Sequence, residues 1–413
     1  MWKTFATSLR SKHEIILTVA SSGIASLLLP GGRTAHSKFK LPVPTLENST
    51  CDITYGDEYA ELLCQAKLII WDEAPMASKF CFEALDKTLK DVMSSYGNSE
   101  EIFGGKVVVF GGDFRQILPV IPRGSRSDIV HSTINASYIW HLVELGEGRI
   151  SEPNDGYAEI EIPPELLIQD FDDPIVAIVD STYPAFMDNY KSYDHLKSRA
   201  ILASTIEVVD QINRHVLQML PGESKDYYSS NSVDRSEIHD NNIIDILSPE
   251  FLISLRTSGL PNHLITLKVG CPIMLMQNID QSEGLCNGTR LIVTKMANHV
   301  IEAQVMGGKG HGKVIYIPRM DTSPSQSPWP FMLNRRQFPI IVSYAMTFNK
   351  SQGQSLDWVG LYIPKDVFSH GKLYVAISRV TSKKGIKILI HDDNNKSKTS
   401  TANVVYKEVF GNI

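Results

Sequence analysis

Two adjacent carboxylates, Asp72 and Glu73, close the apolar run Leu68-Ile69-Ile70-Trp71. A buried strand that ends in acids carries them to the rim of a sheet, where one carboxylate can organise a magnesium shell and the next can polarise a water. Acids at a strand end are common in α/β proteins, so the pair gains meaning from a second run. Lys106-Val107-Val108-Val109-Phe110 reads as another buried strand. It breaks into Gly111-Gly112, where backbone can approach a ligand closely, and then into the polar cluster Asp113-Phe114-Arg115-Gln116. The two strands thus deliver polar groups to one rim.

The elements that position this rim follow from the apolar runs and the breakers between them. Residues 14–20 read as a buried strand, Ser21-Ser22-Gly23 as a helix start, and residues 24–29 as a short helix stopped by Pro30-Gly31-Gly32. This alternation of β and α predicts an α/β fold with a parallel sheet covered by helices on both faces. Acids and prolines dominate residues 146–196, which read as a linker or surface excursion. A second α/β unit opens at residues 199–204 and continues into a helical pattern through Val208, Val209, Ile212 and Val216. Short strands separated by Gly, Asn and Pro then fill residues 264–318, the pattern of a small β-barrel. The expected organisation is a first domain over 1–145, the excursion, and a second domain over 197–263 and 335–413 around an insert at 264–334.

At 413 residues the chain exceeds what one core usually supports, and its 43% hydrophobic and 21% charged residues are those of an ordinary globular protein. No apolar run is long enough to span a bilayer, and no charged-then-apolar signal segment opens the sequence. Cys51, Cys64, Cys81, Cys271 and Cys286 form no Cys-x-x-Cys pair, so neither zinc nor a disulfide framework is indicated and a reducing compartment fits. Charge is strongly segregated: net -2 over residues 1–144, -14 over 145–250 and +10 over 251–413. The carboxyl-terminal part can present a basic surface to phosphates, with a solvated face as the alternative.

Several segments occur in one recognisable order: residues 19–25, 31–37, Trp71-Asp-Glu-Ala-Pro-Met76, Gly111-Gly-Asp-Phe-Arg-Gln116, Leu285-Cys-Asn-Gly-Thr-Arg-Leu291, Phe348-Asn-Lys-Ser-Gln-Gly-Gln354 and Tyr374-Val-Ala-Ile-Ser-Arg379. In this the chain resembles the petite-integration-frequency (Pif-type) DNA helicases, especially forms related to Helitron transposon helicases. The resemblance implies a superfamily-1 motor with tandem RecA-like P-loop NTPase domains and a small SH3-like β-barrel insert. It further implies ATP as substrate, Mg2+ as cofactor, and 5′ to 3′ translocation on single-stranded DNA with unwinding at duplex junctions. Roles in DNA repair, recombination or telomere maintenance would follow, in the nucleus or else the mitochondrion, with a monomer favoured.

By the same resemblance Asp72 holds magnesium, Glu73 orients the attacking water, Gln116 senses the terminal phosphate, and Arg379 meets charge developing on the phosphates. Gly111, Gly112, Asp113, Gln352 and Gly353 would line the nucleotide. Thr34, His36 and Ser37, with Thr347, Phe348, Lys350 and Ser351, would track the DNA, and Phe348 or Tyr344 would offer a base a stacking face. For an aromatic taken alone, core packing is the more common role.

The sequence departs from the family pattern in three places. Gly-x-x-Gly-x-Gly-Lys-Thr is expected just ahead of Trp2-Lys3-Thr4, where this sequence has Met1. Residues 134–140 pass almost directly into 146–150, where the family carries several dozen residues and a Thr-Lys-Asn-x-Arg motif. Ile206 stands where asparagine is usual. Hydrolysis by residues 1–413 alone is therefore not expected, and an inert single-stranded DNA binder is the alternative function, with a scaffold for protein interaction more remote. A truncated or mis-spliced reading of an active helicase gene accounts for the pattern better than a degenerate paralogue does. It predicts a gap or exposed sheet edge beside the Leu68–Trp71 strand.

Overall fold

Four parallel strands, β1 (Ile15–Ala20), β2 (Arg33–Thr34), β3 (Ala66–Asp72) and β4 (Val107–Phe110), pair in the order β2-β1-β3-β4. The computed structural model describes residues 2–54, 56–94, 101–141, 157–233, 248–257, 259–307, 310–324, 329, 331–365, 369–380, 382–392 and 394–410. The chain divides into two units: Met1–Ile160 with Val367–Val375 and Thr401–Ile413, and Glu161–Asp366 with Ala376–Ser400.

In the first unit the strand pleat sends alternate side chains to opposite faces. Leu17, Val19, Ile69 and Trp71 share a core with Phe39 of helix Ala35–Phe39 and with Phe82, Leu85 and Leu89 of helix Lys79–Met93. Ile16, Leu68 and Ile70 instead meet Ala6, Trp2 and Leu9 of helix Trp2–Arg10, which begins the chain. Ser78 caps helix Lys79–Met93 by accepting from the Phe80 N–H, and Ser22, in the expected helix start, caps helix Gly23–Leu28 by accepting from the Ala25 N–H.

The edge expected beside the Leu68–Trp71 strand is not there, because β1 and β4 pair with β3 on its two flanks. Among the described strands the edge falls instead on β4, whose Val107 and Val109 are 59% and 37% exposed. The valine run read as a buried strand is therefore a short, half-exposed one. A single run of β-branched residues looks the same in either position.

The second unit begins its own parallel sheet with β5 (Arg199–Ala203). An antiparallel sheet follows from β6 (Pro272–Leu275), β7 (Arg290–Met296), β8 (Val300–Val305), β9 (Val314–Pro318) and β10 (Ile340–Val342), ordered β9-β8-β7-β6-β10. The parallel sheet then resumes with β11 (Ala345–Thr347), β12 (Trp358–Ile363) and β13 (Ile386–Ile390), ordered β11-β5-β12-β13. The insert is not a separate barrel ending at residue 334. It recruits Ile340–Val342, and its Ile273, Leu291 and Ile301 share one core with Ile201 of β5 and Ile212 of helix Ile206–Met219.

Two more boundaries move. Residues 146–156 of the expected excursion lie outside the described residues, but the following stretch is core-forming. Ile178 and Val179 of helix Pro174–Thr182, with Tyr183 and Phe186, are buried in the second unit, because apolar residues scattered among acids fall on one helix face. The end of the chain belongs to the first unit rather than the second, since Val404, Tyr406 and Val409 bury themselves with Leu118.

Candidate nucleotide and nucleic-acid sites

Asp72 ends β3 opposite Ala20 of β1, and its carbonyl accepts the Ser21 N–H at 3.1 Å. The indole of Trp71 donates to Ser21 Oγ at 2.9 Å, so the ends of both strands are tied together. On the other flank the Gly111 N–H donates to Trp71 O, and Gly111 O accepts from the Ala74 N–H, each at 2.8 Å. A Cβ on Gly111 would lie 3.0 Å from Asp72 Oδ1 and 2.3 Å from a ring carbon of Trp2, and one on Gly112 would lie 2.2 Å from Pro75 Cδ. Glycine is required at both positions for this close approach. Between them Glu73 takes a left-handed conformation, φ 53 and ψ 37, with its N–H donating to Asp72 Oδ1 at 3.1 Å. A non-glycine residue held there costs on the order of 1 kcal/mol or more, the kind of strain that marks functional turns.

Gln116 lies in the loop that leaves the carboxyl end of β4, with its N–H donating to Asp113 O at 3.0 Å. Asp113 was expected to line the nucleotide, yet its carboxylate is engaged inside the loop. It accepts from Arg115 Nε at 2.9 Å, Arg115 Nη2 at 3.2 Å, the Arg115 N–H at 3.0 Å and Tyr374 Oη at 2.8 Å. Burial raises the Asp113 carboxyl, but the Arg115 and Tyr374 hydrogen bonds outweigh it and hold the group below the usual carboxylate range.

Thr34 and His36 are half-buried and Ser37 is exposed at the start of helix Ala35–Phe39, on the first unit. Burial lowers the His36 pKa, which favours its neutral imidazole. Thr347 is half-buried at the carboxyl end of β11, ahead of helix Phe348–Ser351. Lys350 is half-buried and donates to Asn287 Oδ1 at 3.1 Å, and burial lowers its pKa. Gln354 Nε2 donates to Gly288 O at 3.2 Å, so the Cys286–Arg290 loop and the Phe348–Gln354 segment are knitted together. Gly353, at φ 76, supplies the left-handed turn in that segment. Arg379, 9% exposed, donates to Ser378 Oγ at 2.8 Å and to Gln354 O at 3.4 Å within the second unit.

Four expected contacts need correction. Phe348 and Tyr344 are 1% and 0% exposed and pack in the core, so neither offers a base a stacking face. Ser351 is fully buried and donates to Phe348 O at 2.7 Å, which closes its own helix turn, and Gln352 is 4% exposed. A helix this short turns half of its residues inward, which the motif's polarity hides. Asn287, Gln354, His370 and Tyr374 were not singled out. Asn287 and Gln354 stand in segments that were recognised, whereas His370 has no local signal.

His370 is 1% exposed and bridges two backbone groups. Its Nε2 donates to Phe114 O at 2.7 Å and its Nδ1 accepts the Tyr406 N–H at 2.7 Å. Burial lowers its pKa first of all, opposed by the Phe114 bond. Arg126 lowers it further, while Glu408 and Asp113 raise it. With folded-state values of His36 and His370 below those of the unfolded chain, the unfolded state binds more protons as pH falls from about 7 to about 5. Stability present above the unfolded value is therefore lost on acidification. The first unit's denaturation midpoint should drop across that window; a midpoint that rises contradicts this sign.

Residues 1–147 match the family model of the PIF1-like helicase, and residues 250–296 match that of the DNA helicase Pif1 2B domain. The chain is 26% identical over 385 residues to the ATP-dependent DNA helicase PIF1 of Xenopus laevis, covering 90% of this chain and 54% of that protein. It is 25% identical over 409 residues to the ATP-dependent DNA helicase Pif1 of Bdellovibrio bacteriovorus, covering 94% and 80%. It spans only about half the length of its vertebrate relatives, 54% in Xenopus laevis and 56% in Danio rerio. The fold is that of Pif1 from Bacteroides in complex with ADP-AlF3 and single-stranded DNA, at TM-score 0.58 and 21% identity over 90% of this chain and 82% of that one. The Pif1 helicase of Candida albicans superposes with TM-score 0.57 at 21% identity, over 96% and 89%. Such neighbours carry tandem RecA-like domains, and the two parallel sheets found here are their counterparts. Both family models match in chain order, and Asp72, Glu73 and Gly111 meet on one sheet rim, so over these segments the chain is similar to the PIF1-like helicases.

Proposed function

We propose that this chain is the motor of an ATP-dependent DNA helicase that couples ATP hydrolysis to 5′ to 3′ movement on single-stranded DNA. The observation that carries the reading is the rim of the first sheet, where Asp72, Glu73 and the Gly111 backbone meet at the carboxyl ends of neighbouring parallel strands. Asp72 fits a magnesium ion. It offers a hard oxygen donor, and the cradle against Gly111 would be filled by any Cβ. Among the described residues no group of three or more His, Cys, Asp or Glu could hold a metal, so the ion would share its shell with nucleotide phosphates. When bound it supplies charge neutralisation. Glu73 orients a water and Gln116 senses the terminal phosphate. Work at duplex junctions in repair, recombination or telomere maintenance, in the nucleus or alternatively the mitochondrion, belongs to the same reading.

The nucleic-acid half of the proposal rests on the +10 charge of residues 251–413 and on Lys350 beside Asn287. The chain should bind single-stranded DNA with affinity that falls steeply as salt rises, because neutralised phosphates release counterions. Lys350→Ala should weaken binding about equally for all sequences and reduce the salt slope by about 1. Fluorescence anisotropy across a salt series checks both points. Salt-insensitive or strongly base-specific binding would remove the proposed track.

A further inference from the structure

The loop that carries Gln116 is gripped by a segment far away in sequence. His370 Nε2 donates to Phe114 O and Tyr374 Oη donates to Asp113 Oδ2, at 2.7 and 2.8 Å. Between them Gly371 takes φ +71, and a Cβ there would lie 2.6 Å from both Arg115 O and Gln116 O. The Arg115 guanidinium sits 5.0 Å from the centre of the Tyr374 ring while it chelates Asp113, so one face of Tyr374 and its hydroxyl both hold the loop. The grip is itself anchored. His370 Nδ1 accepts the Tyr406 N–H, the Tyr406 ring lies 5.4 Å from the imidazole, and Arg126 covers Tyr406 at 4.9 Å while pairing with Glu408 at 2.8 Å.

We propose that His370, Gly371 and Tyr374 form a clamp that fixes the Asp113–Gln116 loop, which makes His370 and Tyr374 positioning residues for Gln116. They act on the backbone of the loop from which the phosphate-sensing amide projects, and a sensor must be held still to distinguish ligands that differ by one phosphate. Its consequence for nucleotide discrimination rests on the function proposed above, whereas the clamp itself does not.

Two measurements on the full chain separate the claims. Hydrogen exchange of peptides covering residues 111–118 should quicken about tenfold or more in Tyr374→Phe and in His370→Ala, since each variant removes a hydrogen bond from a buried or charged group. Peptides of helix Lys79–Met93 should keep their rates, and His370→Gln, which can supply both a donor and an acceptor, should restore much of the protection. Unchanged exchange over 111–118, or equal quickening everywhere, overturns the clamp. In binding assays with a non-hydrolysable ATP analogue and with ADP, Tyr374→Phe should erase the preference between them as far as Gln116→Ala does, with ADP affinity within about twofold of the unchanged chain. A preference kept in Tyr374→Phe but lost in Gln116→Ala overturns the positioning role. If the unchanged chain binds neither nucleotide, the nucleotide reading fails, while the exchange comparison still decides the clamp.

Discussion

Glu73→Gln should lower DNA-stimulated ATP turnover by about 10²-fold or more in a polypeptide that joins residues 1–413 to a Gly-x-x-Gly-x-Gly-Lys-Thr loop ahead of Trp2. The substitution keeps the size of the side chain and its place in the turn between β3 and the Gly111 backbone, and removes only the carboxylate charge. Because an amide is a far weaker acceptor for a water proton, the loss should fall on kcat, with nucleotide affinity nearly unchanged. Phosphate release with and without single-stranded DNA is the measurement. Turnover within tenfold of the unchanged polypeptide would falsify the assignment of Glu73.

Trp71→Ala should destabilise the first unit by about 3–5 kcal/mol. Trp71 is fully buried, with ring centres of Phe39, Phe82 and Phe110 at 5.8, 4.6 and 6.4 Å, and its indole N–H holds Ser21 Oγ. Truncation removes the largest side chain of that face and leaves a cavity directly behind Asp72. Denaturant unfolding followed by far-ultraviolet circular dichroism should show a correspondingly earlier first transition. A loss below about 1 kcal/mol would mean that the aromatic cluster can collapse into the space. Trp71→Phe should cost far less in packing but should release Ser21, which separates filling the core from tying the strand ends.

What could be read from residue order alone was what local chemistry decides. The strands ending at Ala20, Asp72 and Ala203 follow from uninterrupted apolar runs, and the helix start at Ser22 follows from a capping hydroxyl. The acids and the glycines of the rim were legible because strand ends and missing side chains leave local marks. Burial of Phe348 and Ser351 was not legible, since a four-residue helix is too short to show a periodicity. The return of residues 367–375 and 401–413 to the first unit was equally hidden, because pairing across hundreds of residues carries no signature in the segments that pair. His370 shows the same limit. It reads as one loop histidine among twelve, and only its place between Phe114 and Tyr406 gives it a task.

That long return has a consequence for how the protein is made. Phe114 and His370 are separated by 256 residues, so a ribosome adding about 5–20 residues per second leaves the first unit without its final stretch for roughly ten to fifty seconds. During that interval Leu118 lacks its partners Val404, Tyr406 and Val409, and the loop bearing Gln116 lacks the hydrogen bonds from His370 and Tyr374. The nascent chain therefore emerges with an unfinished amino-terminal unit that awaits its last residues. A nonsense codon between the β13 strand and Val404 would release a polypeptide whose second unit is largely complete and whose first is not.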